Sequence, residues 1–418
     1  MIHWGNLRIT LQCCAICAVF SQLLVMSLHF FILAPNTSQT PYPKITPVHS
    51  DIQVDTFIPE KFDDVVRYKN ARWEALNTLN GYIFRKDKKL NCEMPVTISK
   101  FNRRLIADRH PFIGTAYFNF PRHVDLPGKL CQFKQGYSIG KHSITDRNFH
   151  PLVLLPLLCG NGTANTLDLL ILIKSAGIHT HRRMAIRKLW GDKRCWGGRI
   201  VRHVFLLGVS NQSVTWMPKV REEIQIFRDI IQQDFVDHYY NNTYKMLFGL
   251  QWAVAFCPEA KWLMFVDDDF FVNPRLTLAF IDTLDMRLQT RLVVGDLAVK
   301  AGVLRERSKW SVNKTLFPYN NYPNFVQAGA FFMGAPMALD LYVGSRFTEF
   351  FPFDDVFIGL VLNKLLIAPA HIQGLFMYRP NFRQRFLLNG SIALHGIRSM
   401  ARQKWLWHLA QLQDMCHY

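Results

Sequence analysis

Charge is missing from one stretch of this chain. Between Ile9 and Ala34, in "ITLQCCAICAVFSQLLVMSLHFFILA", there is no Asp, Glu, Lys or Arg. That excludes a solvated surface helix and leaves a run long enough to cross a bilayer core at about 1.5 Å per residue. Gln12, Gln22 and His29 interrupt it without adding formal charge. Carboxylates are scarce overall, with 31 Asp and Glu against 49 Lys and Arg and a net charge of +18. The excess bases are scattered ("RRMAIRKLW", "KDKK", "RERSK") and never interleave with aromatics in a repeated module, so a nucleic-acid partner is not expected. An anionic membrane surface or an anionic substrate remains. There is no internal repeat, which argues against a solenoid or propeller. With 49% apolar and 19% charged residues, the bulk of the 418 residues should fold as one large or two medium globular domains.

Arg8 and the amino terminus flank the short side of the apolar run, which predicts a cytosolic tail (1–8), a retained anchor (9–34) and a lumenal remainder. A cleaved signal peptide is the competing reading, but the run is long for one and no cleavage site is obvious. Residues 35–60, rich in Pro, Ser and Thr, read as a stem. Sequons at Asn36, Asn161, Asn211, Asn241, Asn313 and Asn389 support lumenal exposure. Six cysteines outside the anchor (Cys92, Cys131, Cys159, Cys195, Cys257 and Cys416) suit an oxidising compartment, and their pairing is open. Residues 61–165 carry a candidate helix in "YKNARWEALNTLNGY", stopped at Asn80-Gly81, and no chemistry we can assign.

From Thr166 to the C-terminus the pattern alternates. "TLDLLILIKSA", "RIVRHVFLLGV", "KWLMFV" and "RLVVGDLAV" read as strands. Between them, "HRRMAIRKLW", "VREEIQIFRDIIQQ" (Val220, Ile224, Phe227 and Ile231 on one face), "TYKMLFGLQWAVAF" and "PRLTLAFIDTLDMRL" read as helices. The fold class is α/β, a mostly parallel sheet covered on both faces. Ligands bind such sheets beyond the carboxyl ends of strands. There stand Asp267, Asp268 and Asp269, closing "KWLMFVDDD". A solvated turn capping the next helix would explain one carboxylate. Three favour a hard cation bridging them to a substrate phosphate.

In order, "RRMAIRKLWG", "FLLG", "FRDIIQQDFVDHYYNNTYK", "FVDDDFFVN", "KWSV…YPNF", "FDDVFIG" and "ALHGIRS" resemble the motifs of the inverting β-1,3-glycosyltransferases, the galactosyltransferase/N-acetylglucosaminyltransferase group related to Fringe (glycosyltransferase family 31), over about Thr166 to Trp407. The resemblance implies a GT-A fold in 166–418, a UDP-sugar donor, Mn²⁺, and an acceptor glycan on a glycoprotein or glycolipid. It also implies a type II protein of the Golgi membrane. By position in the motifs, Asp269 and His395 would hold the metal. Asp267 and Asp268 would face ribose or metal-bound water, and Ser175, Arg183, Arg187, Asp237 and Lys245 would surround the nucleotide. Asp355 of "FDDVFIG" would be the base, and Asp354, where the family has Glu, would tune acceptor contacts. Trp310 and Tyr322 are candidates for an acceptor platform, or for core packing. Ala328 and Ala330 stand where the family often has Gly, which would narrow the space near donor or acceptor. A silent binding or chaperone subunit on the same fold is the alternative, against which the full carboxylate set stands. A metal-dependent phosphohydrolase would need further His and Asp at other strand ends, and the sequence lacks them.

Overall fold

A computed structural model describes residues 63–86, 117, 120–145, 147–160, 167–210, 217–377 and 390–416, all within one compact unit. The expected anchor (9–34) and stem (35–60) lie outside the described residues. Among the described residues, no helix is long and apolar enough to cross a membrane.

The centre is an eight-stranded sheet in the order β1-β4-β3-β2-β5-β8-β7-β9. Its strands are β1 (Pro151–Val153), β2 (Leu167–Lys174), β3 (Val201–Val209), β4 (Ile230–Val236), β5 (Ala260–Asp267), β7 (Val293–Ala298), β8 (Phe325–Gly334) and β9 (Ala370–His371). β2 pairs in parallel with β3 and β5 and is buried at every position. Its continuous apolar run follows from that, because alternate residues serve two cores. Leu170 and Leu172 join the core under one set of helices, while Leu169, Ile171 and Ile173 join the other.

The helices between strands are α3 (Thr180–Arg187), α4 (Met217–Phe227), α5 (Asn242–Phe256), α6 (Pro274–Asp282), α7 (Ala335–Ser345) and α8 (Asp354–Lys364), with α9 (Met400–Leu409) near the end. α5 is apolar almost all round because it is buried almost all round. Its outer side is covered by α1 (Asp63–Asn77). Arg72 of α1 donates to the Val254 carbonyl through Nε at 3.2 Å and Nη2 at 3.0 Å, and Trp73 stacks on Phe256 with centroids 5.8 Å apart. β1 extends the sheet by pairing antiparallel with β4. Described elements before Thr166 therefore cover the sheet on one face and one edge. α2 (Leu126–Lys134) buries Leu126, Leu130 and Phe133 in the same core.

Two features depart from expectation. Ile231 is not on the α4 face: α4 ends at Phe227, Arg228 turns the chain at φ 50°, and Ile231 lies in β4, fully buried. Pairing with β3 on one side and β1 on the other wins over the helical spacing. β8 was not foreseen. It runs antiparallel between β5 and β7, so the sheet is mixed, though four of its seven pairings are parallel.

A second sheet, β10 (Leu375–Phe376), β11 (Ala393–His395) and β6 (Phe270–Val272), places His395 opposite Phe270. Disulfides join Cys159 to Cys257 and Cys195 to Cys416, two of the pairings the sequence left open, and Cys131 is also disulfide-bonded.

Candidate active site

The three carboxylates after β5 are dispersed rather than massed. Parallel pairing sets Lys174, the last residue of β2, beside Asp267. Its Nζ lies 3.0 Å from Asp267 Oδ1 and 2.5 Å from Asp354 Oδ2. Burial alone would lower the Lys174 pKa, but the two carboxylates reverse the sign and raise it. Burial still pushes Asp267 up to about 6 in spite of that ammonium. Asp268 turns the other way. It accepts from Ser175 Oγ at 2.7 Å and Arg182 Nη1 at 2.8 Å, and His179 Nδ1 lies 2.8 Å away. Burial pushes its carboxyl up, and these partners more than offset that.

Asp269 is the triplet member that meets the second sheet. Its Oδ2 lies 3.5 Å from His395 Nε2 and 3.1 Å from Arg398 Nε. Burial opposes ionisation here too, but His395 and Arg398 hold Asp269 down to about 2, and the same contact raises His395. The end of the adjoining helix is capped by Asn273, which accepts from the Leu276 N–H, so Asp269 is not spent on capping. One carboxylate oxygen beside one imidazole suits a hard or borderline divalent cation. Among the described residues there is no cluster of three or more His, Cys, Asp or Glu able to hold a metal. Asp269 Oδ2 and His395 Nε2 are the donors that would hold such a cation.

Ser175, Asp237 and Lys245 do assemble. Lys245 Nζ donates to the Ser175 carbonyl at 2.5 Å and Asp237 Oδ1 at 2.7 Å, and Asp237 Oδ2 accepts from the Gly208 N–H. Arg183 and Arg187 correct the expectation of direct nucleotide contact. Arg183 is fully buried and its nitrogens are committed: to Glu223 Oε1 and Oε2, to Ser175 Oγ, and to the Ala176 and Gly177 carbonyls. Arg187 is forked onto Asp229 at 2.7 Å twice, bonded to Glu223 at 2.6 Å, and lies over the Phe227 ring. Arg183 holds the loop 175–177 in shape from behind, and Arg187 shares its Glu223 partner.

At the opposite lip stand the first two residues of α8. Asp354 is buried and tied to Lys174, which corrects its expected role at the acceptor: the carboxylate is occupied inside the protein. Asp355 is different. Its carboxylate takes backbone N–H groups, that of Val356 at 2.8 Å among them, and no cation pairs with it among the described residues. Burial, and next the charge of Asp354, push it up to about 7. Beside them is an aromatic pair the motifs only half revealed. Trp310 is 49% exposed and Tyr239 43%, Trp310 Nε1 donates to Tyr239 Oη at 2.7 Å, and Lys309 Nζ sits 4.7 Å over each ring. Burial raises the Tyr239 pKa, and the charges of Asp354, Asp355 and Asp267 raise it further, so the pair lies within their field. Tyr322, by contrast, is only 8% exposed and packs against Phe317, Phe325 and Phe351. It belongs to the core, not to a platform. Ala330 is likewise fully buried and pairs with Val266 inside the sheet, so its methyl fills core volume.

Sequence reasoning missed Lys174, His179, Arg182, Tyr239, Lys309 and Arg398. Lys174 had a signal: it is the lone cation closing the run "LLILIK", where a charge needs a partner. Tyr239 had one in "DHYYNN", two residues beyond Asp237.

Comparison with known proteins places this arrangement of strand-end carboxylates and a half-exposed aromatic pair in a glycosyltransferase. Residues 181–373 match the family model described as galactosyltransferase. The chain is 34% identical to human β-1,3-galactosyltransferase 1 over 238 residues, 57% of this chain and 72% of that one. It is 32% identical to the β-1,3-galactosyltransferase brn of Drosophila melanogaster over 244 residues, 57% and 73%, and 35% identical to mouse β-1,3-galactosyltransferase 5 over 205 residues, 49% and 66%. The chain belongs to this galactosyltransferase family. Among solved structures, the galactosyltransferase LgtC superposes with a TM-score of 0.33 at 12% identity over 58% of this chain and 95% of that one, a likeness too slight to argue from.

Proposed function

We propose that the enzyme moves a hexose or N-acetylhexosamine from a UDP-sugar to an acceptor glycan in β-1,3 linkage, with inversion and with Mn²⁺. The names of the relatives favour galactose. The observation that carries the reading is Asp355, a carboxylate with no direct ion pair among the described residues, whose pKa burial and the charge of Asp354 raise to about 7 against the opposing charge of Lys174. Such a group is matched to accept a proton at working pH. Asp269 and His395 would hold the metal, which would supply positive charge against the diphosphate of the departing UDP. Asp355 takes the proton of the acceptor hydroxyl as its oxygen bonds to the anomeric carbon. The bond from that carbon to the UDP oxygen breaks on the opposite face. Trp310 and Tyr239 offer a stacking face for the acceptor ring. Lys174 ties Asp354 to Asp267.

The charge-free run at 9–34 supports single-pass anchoring in the Golgi membrane with the catalytic region lumenal. The metal reading is tested by screening UDP-sugars with and without Mn²⁺, on the parent enzyme and on Asp269→Asn. We expect turnover of one UDP-sugar that collapses in EDTA, with Asp269→Asn needing far more cation. Normal turnover in EDTA, or an unchanged cation response in the variant, would sink it.

A further inference from the structure

Two of the six sequons, at Asn241 and Asn313, fall within the described residues, and the fold treats them in opposite ways. Asn241 stands at the start of α5 with its Nδ2 donating to the Val236 carbonyl at 2.8 Å. Its partner Thr243 is fully buried, and the hydroxyl donates to the Phe351 carbonyl at 2.7 Å. A sugar on Asn241 Nδ2 would replace one of the two hydrogens of a nitrogen already held against the Val236 carbonyl and would crowd the element that begins the core helix. Asn313 and Thr315 are both exposed. There the side-chain carbonyl is the engaged atom: Asn313 Oδ1 accepts from Thr315 Oγ1 at 2.8 Å and the Leu316 N–H at 2.7 Å. Those bonds leave Nδ2 unengaged among the described residues and fix the amide plane. The surrounding loop is tied down by Arg305, which donates to the carbonyls of Val312 and Phe317 at 3.0 Å each.

We infer that Asn313 is an N-glycosylation site and that Asn241 is left unmodified. The inference rests on the lumenal reading above. The donor would be an oligosaccharide on a polyprenyl pyrophosphate. The Asn313 Nδ2–carbon bond forms, the carbon–oxygen bond to pyrophosphate breaks, and the amide proton leaves with the lipid pyrophosphate. Because Asn313 is three residues from Trp310, the glycan would stand at the rim of the aromatic platform.

The test is to express the full chain in animal cells, release glycans with peptide N-glycosidase in heavy-oxygen water, and map the labelled peptides. We expect label at Asn313 and none at Asn241. Asn313→Gln and Thr315→Ala should each remove one glycan's step in gel mobility, with Asn241→Gln changing nothing. An unlabelled Asn313 beside a labelled Asn161, Asn211 or Asn389, or label at Asn241, overturns the inference. If no sequon is labelled, the lumenal placement fails and takes this inference with it.

Discussion

The two lips of the sheet are built on opposite electrostatic rules. On the side of β2, β3 and α3, every buried charge has a partner: Lys174 with Asp267, Arg182 with Asp268, Arg183 and Arg187 with Glu223, Lys245 with Asp237. On the side of α8, Asp355 has backbone N–H groups and no direct ion pair among the described residues, only the field of Lys174. Compensated charges make a rigid wall that holds its shape before any ligand arrives. A carboxylate for which burial and a like-charged neighbour outweigh the opposing cation keeps its proton into the neutral range and is free to exchange it. The first lip suits binding, and the second suits chemistry. Asp354 and Asp355 bring the contrast down to adjacent residues on one helix turn.

Asp355→Asn should break the comparison most visibly. A positioned base is worth about 10²–10⁴-fold, so kcat should fall by that much while UDP-sugar affinity, measured by calorimetry, stays near the parent value. If donor affinity collapses as well, Asp355 belongs to the binding lip and the base lies elsewhere.

Glu223→Ala attacks the other lip. It strips Arg183 of its anionic partner among the described residues and leaves a buried guanidinium uncompensated, while Arg187 retains Asp229. Breaking one partner of a buried pair costs roughly 3–5 kcal/mol, to be read as a lower urea midpoint or Tm. An unchanged midpoint would mean the wall is not held by its charges.

The pH profile sharpens the contrast. Asp355 must be deprotonated to act, and its pKa is raised to about 7. The active fraction is therefore largest above pH 7, and kcat/KM should drop about tenfold per unit well below it. Asp354→Asn removes a neighbouring negative charge and leaves Lys174 less compensated. Both changes favour ionised Asp355, so the acid limb should move to lower pH. A limb that stays put would show that burial alone sets the value.

Much of this was legible in the sequence, unevenly. β2, β5 and α5 announced themselves because burial on two faces writes itself as an uninterrupted apolar run. Asp269, His395 and Asp355 could be named because they sit at motif positions, and the fold sets Asp269 beside His395. What stayed hidden was pairing between distant segments. β4 looked helical because Ile231 continued the spacing of α4, and only its neighbours β1 and β3 decide otherwise. Arg183 and Arg187 looked like phosphate ligands because a sequence cannot show that Glu223 and Asp229 already hold them. Trp310 and Tyr322 looked alike as aromatics. Exposure separates them, and exposure is a property of the packed chain.

Trp310→Ala should give the smallest effect, and one confined to the acceptor. The ring is half exposed, its Nε1 donates to Tyr239, and Lys309 lies over both rings, so its removal leaves the core intact. An aromatic contact of this kind contributes about 0.5–1.5 kcal/mol beyond area burial, or roughly two- to tenfold in affinity. The acceptor KM should rise by that factor with kcat and donor KM near the parent values, the mark of binding shared by ground and transition states. Tyr239→Phe keeps the ring and deletes the oxygen that positions the indole, so its effect on acceptor KM should be weaker and in the same direction. Loss of kcat with unchanged acceptor KM in Trp310→Ala would move the platform out of the acceptor site and leave the second lip with Asp355 alone.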